Sequence, residues 1–302
     1  MDKIGTILIT GSTGFVGGRV IRALQGKCSL LTPAHNELDV TSAEDVDCYV
    51  AENRPDAILH LAAISNTGYC EEHPEESYIV NVVSVVNLAK AAAKYGAKLV
   101  FFSSDQIYNG NREEGLLTEA LSVAPENHYG RHKLLAEQSA LAICRDAVAL
   151  RATWMYDMER SGMKTHSNFV INFENALANG ITLRFATREY RGITWVEEVI
   201  KNIPYTFDLP GGVYNFGAEN DLNTYETALK YAELLREKRI AEQSPEVYLE
   251  PHELVMADSD RFPEHIRNIS ISMKKAYEAS GGQIHFKNTL DGLADFLRNT
   301  TF

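Results

Sequence analysis

Apolar positions in the first half of the chain fall in short blocks separated by amphipathic stretches. Ile4–Thr10 (IGTILIT) is nearly continuously apolar, as expected of a strand covered on both faces. Phe15–Leu24 changes to helical spacing, and Cys28–Leu31 is a short second strand. Ser42–Glu52 opens with a serine suited to capping a helix and an acidic first turn. Ala57–Leu61 (AILHL) predicts a third strand. Pro74 opens a long helix to about Tyr95, which Gly96 stops. Lys98–Phe102 (KLVFF) predicts a fourth strand, Tyr129–Ile143 a helix and Ala147–Ala152 (AVALRA) a fifth strand. This alternation predicts an α/β fold: a doubly wound parallel sheet with helices on both faces. Right-handed crossovers then leave a ligand crevice at the carboxyl ends of the strands.

Beyond Trp154 the rhythm breaks. Asp157–Asn168 is polar and irregular, and Trp195–Ile203 has helical spacing. Gly212–Phe216 (GVYNF) is a strand that could return to the sheet. The tail carries a helix around Thr224–Lys238, a strand near Val247–Glu250 and two further helical stretches.

The turn after the first strand reads Thr10-Gly11-Ser12-Thr13-Gly14-Phe15-Val16-Gly17 and opens the first helix. The Gly-x-x-Gly-x-x-Gly spacing suits a tight turn, close backbone approach to a pyrophosphate and close helix–strand packing. The helix N-terminus then offers N–H groups and partial positive charge to the anion. This predicts a Rossmann domain binding NAD or NADP over residues 1–154, with return segments near 193–217. Residues 155–302 are expected to form mainly a smaller α/β substrate-binding lobe. Leu31-Thr32-Pro33-Ala34-His35 offers neither an acid for a ribose hydroxyl nor an arginine for a 2′-phosphate, and Asp39 follows soon after. The choice between NAD and NADP stays open.

Tyr129-Gly130-Arg131-His132-Lys133 places a tyrosine and a lysine at i and i+4, on one face of a helix. An ammonium beside a phenol favours the phenolate, so Lys133 is expected to lower the Tyr129 pKa toward neutrality. Such a tyrosine can exchange the proton of a carbinol while a nicotinamide exchanges hydride. The fourth strand ends in Ser103-Ser104-Asp105, where a hydroxyl can hold the reacting oxygen.

With these features in order, the chain resembles an extended short-chain dehydrogenase/reductase over most of its length. Leu61-Ala62-Ala63 after the third strand and Asn81 in the long helix belong to the same pattern. Within that family it resembles the dTDP-4-dehydrorhamnose reductase group, through Glu37-Leu38-Asp39-Val40-Thr41, Ser103-Ser104-Asp105, Leu150-Arg151-Ala152-Thr153-Trp154 and Asn168-Phe169-Val170. The resemblance implies that Ser104, Tyr129 and Lys133 are catalytic. It implies cofactor contacts from Gly11, Thr13, Gly14, Phe15, Val16, Gly17, Asp39, Val40, Leu61, Ala62, Ala63 and Asn81, together with Tyr129 and Lys133. Ser104, Asp105, Trp154 and Asn168 would touch the substrate. The chain departs from the group at Gly68-Tyr69, where the reductases carry Asp-Lys, and at Gly192-Ile193-Thr194, where they carry Gly-Ser-Pro-Thr. Both changes fall where the sugar would sit.

Three functions follow. The first is reduction of a keto group on a nucleotide-sugar with NAD(P)H. The second is epimerisation with retained NAD. The third is a non-catalytic dinucleotide-binding regulatory subunit, since that of methionine adenosyltransferase resembles the same reductases. Dehydration is disfavoured because Gln106 follows Asp105, and a neutral amide cannot act as the acid or base there.

The remaining composition narrows the partners. The 302 residues are 45% hydrophobic, enough for one sizeable core and a smaller lobe. The formal charge of −12 argues against nucleic acid. Cys28, Cys48, Cys70 and Cys144 form no Cys-x-x-Cys pair and read as reduced, mostly buried thiols. No run approaches a membrane span and no signal peptide precedes the first strand, so a cytoplasmic protein is expected, a homodimer being common in the family. No metal is expected. His60 reads as a packed strand residue, His128 and His132 as solvated, and Cys70 as an incidental thiol. Arg184, Arg188, Arg191 and Lys201 form a locally basic stretch, and Arg261 and Arg267 are further candidates to face the sugar.

Overall fold

A computed structural model describes residues 5–160, 162–242 and 250–300 of the chain. In chain order the strands are β1 (Thr6–Thr10), β2 (Ser29–Leu31), β3 (Ala57–His60), β4 (Lys98–Ser104), β5 (Val148–Ala152), β6 (Trp154–Tyr156), β7 (Leu183–Ala186), β8 (Glu189–Tyr190), β9 (Ile193–Trp195), β10 (Gly212–Phe216), β11 (Val255–Asp258) and β12 (Arg267–Asn268). The helices are α1 (Phe15–Leu24), α2 (Ala43–Asn53), α3 (Thr67–Glu72), α4 (Pro74–Tyr78), α5 (Ser84–Tyr95), α6 (His128–Ile143), α7 (Phe169–Asn179), α8 (Val196–Thr206), α9 (Thr224–Ala241), α10 (Pro251–Leu254), α11 (Lys274–Ala279) and α12 (Thr289–Asn299).

Six strands form one parallel sheet in the order β10-β5-β4-β3-β1-β2. The apolar runs predicted the strands, and the pleat sorts their side chains onto two faces. Ile7, Ile9, Leu59, Val100, Val148 and Leu150 enter one core with α1, α8 and α12. Leu8, Ile58, Leu99, Phe101, Ala147 and Ala149 enter the other with α2, α5 and α6. Both faces are thus covered, which is why the strands read as continuous rather than alternating. Gly212–Phe216 does return to the sheet, beside β5.

Several boundaries differ from expectation. The helix from Pro74 to Tyr95 is interrupted by a π turn at Ile79–Val83. Trp195 ends β9 and caps α8 instead of lying in the helix. The strand expected near Val247–Glu250 lies almost wholly outside the described residues, and Glu250 caps α10. Short parallel pairs after residue 153 (β6 with β9, β7 with β11, β8 with β12) were not legible, because two to four residues carry too little periodicity. Cys70 and Cys144 are buried, whereas Cys48 is exposed. No helix among the described residues is long and apolar enough to cross a membrane.

Buried charge ties distant segments together. Arg19 of α1 pairs with Asp157 at 3.0 Å, and both side chains are almost fully buried. Asp157 also receives Arg160 at 3.0 Å and the Trp195 indole N–H at 3.4 Å. Arg151 of β5 grips Glu137 of α6 through Nε and Nη2 and donates through Nη1 to the Tyr108 hydroxyl. Replacing Asp157 by alanine leaves a buried guanidinium without its counter-ion. The expected cost is ~3–5 kcal/mol in a denaturant titration, and wild-type stability would show that the pair holds nothing.

His60 closes β3 inside a fixed hydrogen-bond chain. Ser84 Oγ gives its one proton to the Val80 carbonyl, so it can only accept from His60 Nε2 at 3.1 Å. Nδ1 therefore accepts from Thr10 Oγ1 at 2.6 Å. Burial, with Lys133 nearby, lowers the His60 pKa from 6.5 to about 3. Between those values the unfolded chain binds a proton that the folded chain refuses, so stability rises with pH across the window and is lost as pH falls through it. The loss reaches roughly 5 kcal/mol at the acid end. In a pH series of unfolding free energies, His60→Gln should lack this slope, and an unchanged slope would assign acid sensitivity elsewhere.

Candidate active site

The crevice edge begins at the β1–α1 turn. Gly11 has φ +72°, and a side chain there would sit 2.6 Å from the Ala62 nitrogen and 2.7 Å from the Leu61 carbonyl carbon. A side chain at Gly17 would run into the Gly11 carbonyl oxygen. Gly11 lets two backbone segments touch, one leaving β1 and one leaving β3, and Gly17 lets α1 close onto the turn before it. The Gly14 N–H bonds the Gly11 carbonyl at 3.0 Å. Gly14 then starts α1 with no side-chain cap and no acidic residue in the first turn. Thr13 is exposed at the turn and Val16 is half-buried. Phe15 is buried beneath the Arg19 guanidinium at 4.3 Å and the His166 ring at 4.5 Å.

The neighbouring loops are held by side-chain amides. Leu61 and Ala62 are half-buried and Ala63 is exposed. Asn81, on the π turn, grips Ile64 twice: its Nδ2 donates to the carbonyl at 2.9 Å and its Oδ1 accepts from the N–H at 3.0 Å. Asn87 of α5 donates to the Val40 and Thr41 carbonyls. Asp39 accepts from the Thr41 hydroxyl and N–H, and that bonding, the hydroxyl foremost, holds its carboxyl below the usual range.

Ser104, Tyr129 and Lys133 come together at the carboxyl end of β4. Ser104 caps the short turn Asp105–Tyr108 and donates to Asp105 Oδ1 at 3.2 Å. The Tyr129 phenol lies near enough to Ser104 to feel its hydroxyl. Asn127 caps α6 through the Gly130 N–H, which sets the direction of the tyrosine and the lysine. Lys133 Nζ donates to the Phe102 carbonyl at 2.8 Å and lies 5.7 Å from the Tyr129 ring centre. Burial lowers the lysine to about 8, opposed by Cys70 and Glu137. The expected depression of the phenol is not found. Burial pushes Tyr129 up, against the influence of the Ser104 hydroxyl and with help from Asp105 and Cys70.

A polar cluster lines the far side. Asp105 is buried, which raises its carboxyl, while Arg191 at 3.4 Å and Arg267 pull the other way. The Arg191 guanidinium lies 5.1 Å over the half-buried Trp154 indole. Arg267 donates to Gln106 Oε1 at 2.9 Å, to Asn109 Oδ1 at 2.8 Å and to Glu189. Gln106, Asn109 and Glu189 were missed as members of this cluster, because nothing in their local sequence marks a partner 78 to 161 residues away. Of the basic stretch, Arg191 alone is brought to Asp105. Arg184 meets the Met256 sulfur, Arg188 the Pro263 carbonyl and Lys201 the Trp195 ring, and Arg261 packs on Phe262.

Asn168 is not brought into this group. It is fully buried as the cap of α7, its amide donating to the Asp157 and His166 carbonyls and its oxygen accepting from the Ile171 N–H. An Asn ahead of an apolar helical run is itself a capping signal. His132 is buried, not solvated, with Nδ1 at 2.9 Å from Ser77 Oγ. At the first departure, Tyr69 donates to Glu76 and rests on the His73 ring. At the second, Gly192 abuts the Ala218 carbonyl, and Thr194 bonds Thr153 and the Ala218 N–H. Among the described residues no cluster of His, Cys, Asp or Glu could hold a metal.

The chain is similar to known proteins in sequence and in fold. The chain is 34% identical to the dTDP-4-dehydrorhamnose reductase of Escherichia coli over 154 residues, 50% of this chain and 51% of that one. It thus spans about half the length of the curated relatives it matches at that identity. It is 27% identical to the methionine adenosyltransferase 2 subunit beta of Xenopus tropicalis over 245 residues, 75% of this chain and 71% of that one. Its fold is similar to the crystal structure of dTDP-4-dehydrorhamnose reductase from Bacillus anthracis in complex with NADP, with a TM-score of 0.81 and 22% identity over 98% of this chain and 100% of that one. The RmlD substrate binding domain model matches residues 5–296, and the chain belongs to that family.

Proposed function

We propose that the chain is an oxidoreductase that uses NAD(H) or NADP(H) to reduce a keto group of a nucleotide-sugar. The observation that carries this reading is the gathering of Ser104, Tyr129 and Lys133 at the carboxyl end of β4, with Lys133 anchored to the Phe102 carbonyl one helical turn after Tyr129. The names of the reductase relatives and the NADP in the Bacillus anthracis crystal structure support it.

The residues present fit a dinucleotide. The backbone cradle at Gly11 and Gly17 would be filled by any side chain, and α1 begins without a side-chain cap. Such a helix start suits a pyrophosphate. Gly11, Thr13, Gly14 and the α1 amides would hold it, with Leu61, Ala62 and Ala63 as the adjoining wall. The dinucleotide, when bound, supplies hydride to the keto carbon.

The chain's own groups handle the proton. Tyr129 is held in its phenol form by burial, which suits a donor of a proton to the nascent alkoxide. Ser104 orients the keto oxygen from its other side. Lys133, fixed by the Phe102 carbonyl, keeps positive charge behind the phenol as proton transfer leaves it anionic. Asp105 lies next to Ser104, Arg191 pairs with Asp105 and Trp154 lies under Arg191, and the three would form the sugar wall. Residues 155–302, apart from the return segment near 193–217, would mainly bind the substrate.

A regulatory role is the second reading. The match covering 71% of the Xenopus subunit favours it, as do the departures at Gly68-Tyr69 and Gly192-Ile193-Thr194.

The deciding measurement is a thermal-shift panel of NAD(H) and NADP(H), each with and without nucleotide-sugars, followed by turnover read as dinucleotide absorbance. A ligand at 100 times its dissociation constant adds ~2.7 kcal/mol to stability. A dinucleotide shift enlarged by a keto-sugar nucleotide, with turnover, is expected. A dinucleotide shift that no sugar enlarges would favour the regulatory reading. Tyr129→Phe should keep the dinucleotide shift and lose turnover by roughly 100- to 10,000-fold. Undiminished turnover in that variant would remove Tyr129 from the proton step.

A further inference from the structure

We propose that His132 is a positioning residue for the dinucleotide-binding edge: through Ser77 it fixes Asn81, and through Asn81 it fixes the Ile64 backbone, two residues beyond the Ala62 peptide that Gly11 touches. The inference rests on the dinucleotide reading of that edge.

The chain of contacts is continuous, buried from His132 to Asn81 and half-buried at Ile64. Asn81 has two amide protons, and both are spent: one on the Ile64 carbonyl at 2.9 Å, one on Ser77 Oγ at 3.1 Å. Its oxygen takes the Ile64 N–H at 3.0 Å. Ser77 Oγ, already accepting from Asn81, has one proton of its own to place. His132 Nδ1 stands 2.9 Å away. With that proton placed on Nδ1, the serine donates to an unprotonated nitrogen and the ring carries its own proton on Nε2. Burial favours this neutral ring, as do His128 and Arg131 on α6, while Glu71 of α3 opposes it; Tyr78 of α4 packs edge-on against the ring. Cys70 of α3 adds a second donor to the Ile64 carbonyl, Sγ to O at 3.5 Å.

The strut joins two parts of the site that the sheet alone does not hold in register. At one end is α6, which carries Tyr129 and Lys133. At the other is the loop leaving β3, whose Leu61–Ala62 backbone lies against Gly11. Without the Nδ1 acceptor, the Ser77 proton turns elsewhere, and the Asn81 amide loses the partner that orients it. Ile64 is then free to shift, and with it the wall of the dinucleotide edge.

The test measures dissociation constants of NADPH and NADH by calorimetry on the full chain, with folding checked by unfolding midpoint. His132→Leu removes the acceptor, and Ser77→Ala removes the link. His132→Asn places a carbonyl oxygen where Nδ1 stood. Loss of about one hydrogen bond's worth of positioning predicts about fivefold weaker binding in the leucine and alanine variants. The asparagine variant should recover to within about twofold of wild type, and the double variant Ser77→Ala/His132→Leu should be no weaker than either single change. Wild-type affinity in a folded leucine variant, or an asparagine variant as weak as the leucine one, overturns the proposal. Should the leucine variant fail to fold, wild-type affinity in Ser77→Ala overturns it equally. Absence of dinucleotide binding by the unmodified chain overturns the dinucleotide reading and this inference with it.

Discussion

Backbone contact between Gly11 and the Leu61–Ala62 peptide is the constraint on which the rest depends. It brings the turn after β1 down onto the segment leaving β3, and it tolerates no Cβ at Gly11. The turn can then present α1 squarely at its N-terminus, with Gly17 tucked under the Gly11 carbonyl. A parallel sheet gathers the ends of its strands on one edge, so β4 delivers Ser104 to the same place. The proposed chemistry needs that coincidence and little else from the sheet.

The second organising force is paired buried charge in a chain with a formal charge of −12. Arg19 with Asp157, Arg151 with Glu137, and Arg267 with Glu189 each join segments far apart in sequence. Replacing such a pair by hydrocarbon often costs nothing, so their contribution is better sought in specificity than in net stability. Each pair admits one arrangement. The Arg151–Glu137 pair locks α6 against β5 one turn beyond Lys133, and the Arg267 pair holds Gln106 just after Asp105. The orientation of the proposed proton donor and of the sugar wall is thereby set by charges outside both.

The doubly wound sheet was legible because its strands are buried on both faces, so Ile7-Leu8-Ile9 and Leu99-Val100-Phe101 are unbroken apolar blocks. The glycine turn and the Tyr129–Lys133 pair were legible because their geometry is local. What escaped reading was long-range or too short. Arg19 looks like a residue on a helix surface until Asp157, 138 positions away, is placed beside it. Strands β6, β8 and β9 are too short for a period to register. The phenol expectation failed for another reason. Spacing places Lys133 near Tyr129, but burial of the phenol outweighs the field of the ammonium.

The π turn at Ile79–Val83 amounts to one residue more than an α-helix would use. An α-helix advances about 100° per residue, so that extra residue changes the heading of everything before it relative to everything after. Upstream, Ser77 points toward α6; downstream, Val85, Leu88 and Ala92 point into the sheet core. Both headings cannot be kept at a helix length one residue shorter. Unlike a surface loop, this stretch has no slack for insertion or deletion: its length, not merely its composition, is part of the site.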